Sequence, residues 1–262
     1  MIELNHNQFL PLDKLYEIAE KDAEHYKNAE PFAHSYYDNV FDPELLDKVI
    51  EEFEQGDKTW IDHQTKYENK LEMSRDAHLQ PITRAFVHNL NSEPFLRFLE
   101  KLTGISGLIS DPYLTGGGLH KIKRGGKLGV HVDFNGHLIM KVYRRLNVLI
   151  YLNRDWPEEF GGHFELWDQN KNACVKRILP IFNRMAIFTT TPTSFHGHPE
   201  PLNCPEDRCR RSLALYYYTA EPGEQKTVRH GTQFLTDGGK REELNVGFYT
   251  LTKRKIKGLI RG

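Results

Sequence analysis

From about Ile105 to Ala220 the chain is divided into short apolar or alternating runs, each closed by glycine or turn residues. They are "GGGLHKIKRGG", "LGVHVDF", "LNVLIYLN", "GGHFELWD", "RMAIFTT" and "RSLALYYYT". Runs this short cannot build long helices, and many in series predict an all-β sandwich or barrel. The glycine pairs read as turns and bulges, because no Gly-Lys-Ser/Thr follows them to make a phosphate loop. The first third has a different texture. In "DPELLDKVIEEFE", Asp42 stands in a capping position and Pro43 at the first helical position. Leu45, Leu46, Val49, Ile50 and Phe53 then recur at helical spacing. "ITRAFVHNL" and "PFLRFLEKLTG" predict two more helices, the second stopped by Gly104. The expected fold is mainly β with supporting helices. Residues 1–105 form a helical or mixed N-terminal support, 106–222 the β core and 223–262 a C-terminal extension, all within one structural domain.

Composition excludes several classes. Of 262 residues, 39% are hydrophobic and 11% aromatic, enough for a globular core and against a disordered chain. The formal net charge of -1 gives no field for nucleic acid or a membrane surface. No run of about 18 apolar residues occurs. The start, "MIELNHNQFL", lacks the basic and apolar regions of a signal peptide. The basic tail, with Lys253, Arg254, Lys255, Lys257 and Arg261, reads as solvated. Cys174, Cys204 and Cys209 are too few, and odd in number, for a disulfide scaffold, so a reducing cytoplasm is expected.

"GVHVDFN" places His131 and Asp133 two apart on an apolar segment. In a strand, residues i and i+2 share a face, so both side chains enter one cavity. One more imidazole completes a set of two histidines and a carboxylate. Such a set leaves three octahedral positions open and is the arrangement of non-haem Fe(II) oxygenases. The candidates lie in "TSFHGHPEPL", where His196 is preferred over His198 because it follows directly on the strand "RMAIFTT". His120, His137 and His163 read as surface or supporting groups. Downstream, "CRRSLALYYYTA" alternates Arg210, Ser212, Ala214, Tyr216 and Tyr218 on one face with Arg211, Leu213, Leu215 and Tyr217 on the other. An arginine opening a buried apolar strand is costly unless it meets an anion. Arg210 with a hydroxyl at Ser212 suits a carboxylate.

In these runs the sequence resembles the Fe(II)- and 2-oxoglutarate-dependent oxygenases, in their prolyl 4-hydroxylase-like branch. The matching stretches run from "DPYLTGGGLHKIKRGGKLGVHVDFN" through "RRLNVLIYLNRDWPEEFGGHFELWD" and "FNRMAIFTTTPTSFHGHPEP" to "RCRRSLALYYYT", over about residues 111 to 220. The resemblance implies a double-stranded β-helix (jelly-roll) core and an Fe(II)/2-oxoglutarate oxygenase domain. It carries iron binding onto His131, Asp133 and His196. It carries the salt bridge to the distal carboxylate of 2-oxoglutarate onto Arg210, with Tyr151 as a hydrogen-bonding partner. The insert "PLNCPEDRC" lengthens the interval from His196 to this strand, and Arg211 is the alternative anchor.

The reaction so implied consumes O2 and 2-oxoglutarate, releases succinate and CO2, and hydroxylates an unactivated C–H bond. The substrate is an amino acid, a peptidyl residue or a small metabolite, and ascorbate is a further cofactor of such enzymes. A carboxylate at Asp133, where halogenating relatives have a small residue, favours hydroxylation. "NGHLIMKVYRR" is expected to form a lid, with Arg144 and Arg145 meeting an acidic substrate group. Two rival readings are a zinc-binding structural module using His198, Cys204 and Cys209, and a non-catalytic binding protein on the same fold.

Overall fold

A computed structural model describes residues 9–55, 60–168, 173–223, 228–236 and 239–244. The amino-terminal segment read for a signal peptide lies largely outside these residues, and the basic tail entirely so. The elements in chain order are α1 (Leu12–Asn28), β1 (His34–Asp38), α2 (Pro43–Glu54), β2 (Ile61–Gln64), β3 (Asn69–Met73), α3 (Pro81–Leu90), α4 (Glu93–Thr103), β4 (Ile109–Ser110), β5 (Gly118–Lys123), β6 (Leu128–Val132) and β7 (Tyr143–Tyr151). They continue with β8 (Phe164–Asp168), β9 (Ala173–Ile178), β10 (Arg184–Thr189), β11 (Phe195–His198), β12 (Cys209–Thr219), β13 (Thr232–Leu235) and β14 (Arg241–Leu244).

The strands form two antiparallel sheets of a jelly-roll. The larger, eight-stranded, runs β1-β10-β7-β12-β5-β3-β2, with β4 paired to β12. The smaller, six-stranded, runs β14-β13-β6-β11-β8-β9. Strands of the first third, β1 to β3, thus extend the larger sheet, and β13 and β14 extend the smaller one.

Helix sequences explain why the helices lie on the outside of the larger sheet. In α4, Phe95, Phe98, Leu99 and Leu102 form one fully buried stripe. Gly104 closes that helix in the left-handed region at φ +72°, its N–H reaching the Glu100 carbonyl at 2.9 Å. In α2, the Asp42 carboxylate accepts a hydrogen bond from the Glu44 amide at 2.9 Å. The helical stripes share one apolar core with Leu146, Val148 and Ile150 of β7, Ile187 of β10, and Leu213, Leu215 and Tyr217 of β12. Tyr217 Oη donates to the Leu90 carbonyl at 2.9 Å, so the one polar atom of that side chain is satisfied.

Alternation sends the other half of these strands inward. Tyr151 of β7 and Ala186 and Phe188 of β10 pack with Phe164, Leu166 and Ile178 of the smaller sheet. The helices thus satisfy one face of the larger sheet and leave the other to the space between the sheets. Phe98→Ala should cost about 3–5 kcal/mol of stability by opening a cavity under α4. Arg97→Ala, on the exposed face of the same helix, should stay within about 0.5 kcal/mol. Chemical denaturation of the two variants checks the contrast.

Candidate metal centre and co-substrate pocket

β6 and β11 are neighbours in the smaller sheet, and their register sets His131 directly opposite His196. The two rings lie 4.4 Å apart, centroid to centroid. Asp133 follows the end of β6. Ligand atoms of His131, Asp133 and His196 all lie within 4.8 Å of one another, the one such cluster among the described residues. A bulge separates His196 from His198, which pairs with Leu128. Gly197 sits between the two histidines for a steric reason. A Cβ there would stand 2.7 Å from the Gly129 carbonyl oxygen and 2.8 Å from that of Leu128.

The tautomers are dictated locally. His131 Nδ1 meets the Gly129 carbonyl at 2.8 Å, and His196 Nδ1 meets the Ser194 carbonyl at 2.9 Å. A carbonyl only accepts, so each Nδ1 carries the hydrogen. Each ring then turns its Nε2 toward Asp133. These nitrogens lie 3.6 Å (His131) and 3.4 Å (His196) from the Asp133 carboxylate oxygens. Lone pairs facing a carboxylate in a buried site repel one another unless a cation lies between them. Burial, then the neighbouring His131, pushes the His196 pKa down to about 4, which keeps it an unprotonated ligand. Two neutral imidazoles and one carboxylate on one face, with Nδ1–H anchored, fit a divalent iron.

The carboxylate is itself fixed. Asn147 Nδ2 donates to Asp133 Oδ2 at 2.7 Å, and Arg144 Nη2 lies 3.1 Å from the same oxygen. Arg144 Nε donates to Asn147 Oδ1 at 2.8 Å, closing the triangle. The guanidinium is stacked on Tyr216, with its carbon 3.4 Å from the ring centroid, and on Phe134 at 4.5 Å. Burial opposes charge on Asp133, but Arg144 and then His196 outweigh it and hold the carboxyl well below its usual range. In "NGHLIMKVYRR", Arg144 is buried and paired with Asp133, and Arg145 Nη1 reaches Thr219 Oγ1 at 3.3 Å, but both arginines line the cavity beside Asp133. The same segment is pinned rather than hinged at His137, whose Nε2 lies 3.2 Å from Asp111 Oδ1 and 2.9 Å from Thr115 Oγ1. Asn147 escaped the sequence reading. Its signal was an amide in an otherwise apolar strand.

The second group of residues lines the space between the sheets. Arg210 is 5% exposed and Tyr151 fully buried. Arg210 Nε donates to the Gly162 carbonyl at 2.8 Å, and Nη2 to Tyr151 Oη at 3.4 Å. No carboxylate among the described residues lies within ion-pair distance of Arg210. Ser212 is buried beside it, opposite Tyr151 of β7 and His120 of β5. Gly162 is needed for this approach, since its φ is +71° and a Cβ would lie 2.9 Å from Arg210 Cδ. Arg211 faces the helices and pairs with Glu54 at 2.6 Å. His120 is not a surface group. It is nine-tenths covered, 3.9 Å from Glu72, and burial pushes it down to about 3. His163 is buried too, with Nε2 2.6 Å from Glu158.

Cys204 and Cys209 are free and buried, and with His198 they form no metal-binding cluster among the described residues. A cavity of about 600 Å³ opens onto Asp133, bounded by Phe134, Asn135, Arg145, Thr190 and His230 among others.

Geometry and chain order together place a facial His-Asp-His cluster and a buried arginine inside a jelly-roll. The profile of the 2OG-Fe(II) oxygenase superfamily matches residues 117–218, which contain His131, Asp133, Tyr151, His196, Arg210 and Ser212. Solved structures agree in fold. A prolyl hydroxylase from Trichoplax adhaerens, in complex with a peptide fragment of the hypoxia inducible factor oxygen degradation domain, is 16% identical with a TM-score of 0.59, over 79% of this chain and 92% of that one. A Pseudomonas putida prolyl-4-hydroxylase is 13% identical with a TM-score of 0.54, over 79% and 100%. HygX from Streptomyces hygroscopicus, with nickel and 2-oxoglutarate bound, is 11% identical with a TM-score of 0.54, over 81% and 97%. No curated protein sequence matches. Residues 117–218 are thus similar to the 2OG-Fe(II) oxygenase superfamily, the fold is that of the prolyl hydroxylases and HygX, and the His-Asp-His cluster lies inside the matched stretch.

Removing a group that orients a metal ligand typically costs 10–100-fold in metal affinity. Asn147→Ala should weaken metal binding by about that factor, read by anaerobic titration with Co(II). The Asp133 carboxylate stays in place in this variant, so unchanged affinity would show that Asn147 does not orient it.

Proposed function

We propose that this chain hydroxylates an unactivated C–H bond of an amino acid, a peptidyl residue or a small metabolite, with release of succinate and CO2. His131, Asp133 and His196 hold the iron. Arg210, with Ser212 and Tyr151, holds the distal carboxylate of 2-oxoglutarate. The observation that carries this reading is a buried guanidinium without a carboxylate partner, on the inward face of β12, in the same interior as the His-Asp-His cluster. A buried cation is stable only when an anion meets it, and a dicarboxylate supplies one.

When bound, Fe(II) and 2-oxoglutarate supply the oxidising power for C–H hydroxylation. The chain supplies position and exclusion. Hydrogen-bonded Nδ1 atoms hold both imidazoles in the ligating tautomer. Asn147 and Arg144 hold Asp133 against rotation, and a retained carboxylate there keeps one iron position filled. Phe164 and Phe188 wall the His196 ring at centroid distances of 5.7 and 4.6 Å, keeping water from its flank. The cavity beside Asp133 admits the primary substrate from the metal side. Its volume suits a side chain or a small metabolite rather than a folded partner.

The division into 1–105, 106–222 and 223–262 within one structural domain is supported by the described flanking strands, β1 to β3 and β13 to β14, which extend the sheets of the central segment. Among the described residues no helix is long and apolar enough to cross a membrane, and the free cysteines suit a cytoplasmic location.

Succinate release from the iron-loaded protein, screened across amino acids, peptides and a metabolite extract, tests the proposal. His131→Ala and His196→Ala should abolish 2-oxoglutarate turnover. His198→Ala should retain turnover at saturating 2-oxoglutarate, and the reverse pattern would move the ligand to the other histidine. Arg210→Ala should weaken 2-oxoglutarate by about 30-fold or more, since breaking a buried charge pair costs about 2–5 kcal/mol. Arg211→Ala, which loses only its partly exposed pair with Glu54, should leave that affinity nearly unchanged. The band that 2-oxoglutarate produces with Fe(II) under anaerobic conditions reads both.

A further inference from the structure

His198 is unexplained by anything above. It is 4% exposed, and neither ring nitrogen has a hydrogen-bond partner. Buried polar atoms are nearly always paired, so two orphaned nitrogens on one ring need a reason. Its neighbours on β11 give none: Gly197 has no side chain, and the His196 Nδ1 is already spent on Ser194. Nor does the nearby polar cluster. Lys70, at 3.6 Å from Glu68 and 3.4 Å from Glu72, is committed to those two carboxylates.

The position of the ring supplies the reason. The bulge between His196 and His198 shifts β11 against β6, so His198 pairs with Leu128 rather than falling outside the ladder. On the same strand face as His196, and buried, the ring points into the space between the sheets. The metal cluster and the Arg210 guanidinium on the inward face of β12 share that interior. His198 thus faces the co-substrate pocket with an unused donor.

We propose that His198 is a further co-substrate residue, one ring N–H donating to the 2-oxoglutarate carboxylate that Arg210 meets. This rests on the reading of that pocket given above. Arg210 spends Nε on Gly162 and one Nη2 hydrogen on Tyr151, which leaves three guanidinium hydrogens for an anion. A carboxylate offers about four lone-pair sites, so it can accept from the guanidinium and still take a hydrogen from the His198 ring.

The test compares wild type with His198→Leu and His198→Gln, all loaded with Fe(II) under anaerobic conditions. 2-Oxoglutarate is titrated against the metal-to-ligand absorption band, and metal affinity is measured separately by Co(II) titration. A hydrogen bond to a charged group predicts about a 10-fold or greater loss of 2-oxoglutarate affinity in His198→Leu. His198→Gln, which keeps an N–H donor, should recover most of it. With 2-oxopentanoate, which lacks the distal carboxylate, wild type and His198→Leu should bind alike. Co(II) affinity should be unchanged, and thermal unfolding without co-substrate should be unchanged or raised, since Leu leaves no orphaned polar atom.

Equal 2-oxoglutarate affinity in wild type and His198→Leu overturns the proposal and leaves the oxygenase reading standing, with His198 satisfied by internal water. A wild type that shows no 2-oxoglutarate band overturns both. If His198→Leu does not fold, ring-nitrogen NMR of the Zn(II)-loaded wild type replaces it. The His198 N–H signal should shift on adding 2-oxoglutarate and not on adding 2-oxopentanoate. A signal indifferent to both overturns the proposal.

Discussion

The pairing of β6 with β11 is the contact on which the site depends. It sets His131 opposite His196 across one rung of a ladder, and two short strands suffice to do it. Everything that makes the rungs usable is a consequence of close strand approach. Gly197 is required because the backbone of β6 fills the place of its Cβ. The Gly129 and Ser194 carbonyls lie two residues before each histidine and take up the Nδ1 hydrogens, which turns both Nε2 atoms toward Asp133. A ladder is stiff, so the two imidazoles arrive in ligating geometry without relying on mobile loops.

β12 shows how one strand serves two purposes. Its outward residues, Leu213, Leu215 and Tyr217, belong to the core that holds the helices. Its inward residues run from Arg210 and Ser212 to Tyr216, which carries the Arg144 guanidinium on its ring. Stability and function thus use alternate positions of the same eleven residues. The helices cover the outward face and leave the inward face free to be polar.

Buried charge is distributed by role. Arg144 spends its charge on Asp133 and is walled by two aromatic rings. Lys70 spends its charge on Glu68 and Glu72. Arg210 has only a carbonyl and a phenol. In a low-dielectric interior the last arrangement is the costly one. It marks the place where an anion is expected, as the orphaned nitrogens of His198 mark a place for an acceptor.

Much of this was legible from residue order. Period-two alternation is a property of the strand itself, so the shared face of His131 and Asp133, and that of Arg210 and Ser212 opposite Arg211, follow from the sequence alone, while the choice of Arg210's face as the inward one needed the packed sheets. Helix stripes and caps are equally local: Asp42, Pro43 and Gly104 do at their helix ends what their chemistry predicts. What the tertiary structure decided is which faces meet. The β6–β11 register pairs His196, not His198, with His131, and a bulge of one residue sets it. The hold of Asn147 and Arg144 on Asp133 joins opposite sheets, and the burial of His120 depends on β3 closing over β5. Pattern within a strand says which side chains travel together. Only the packing of strands far apart in sequence says what they meet, because those contacts depend on register and crossover rather than on any local preference.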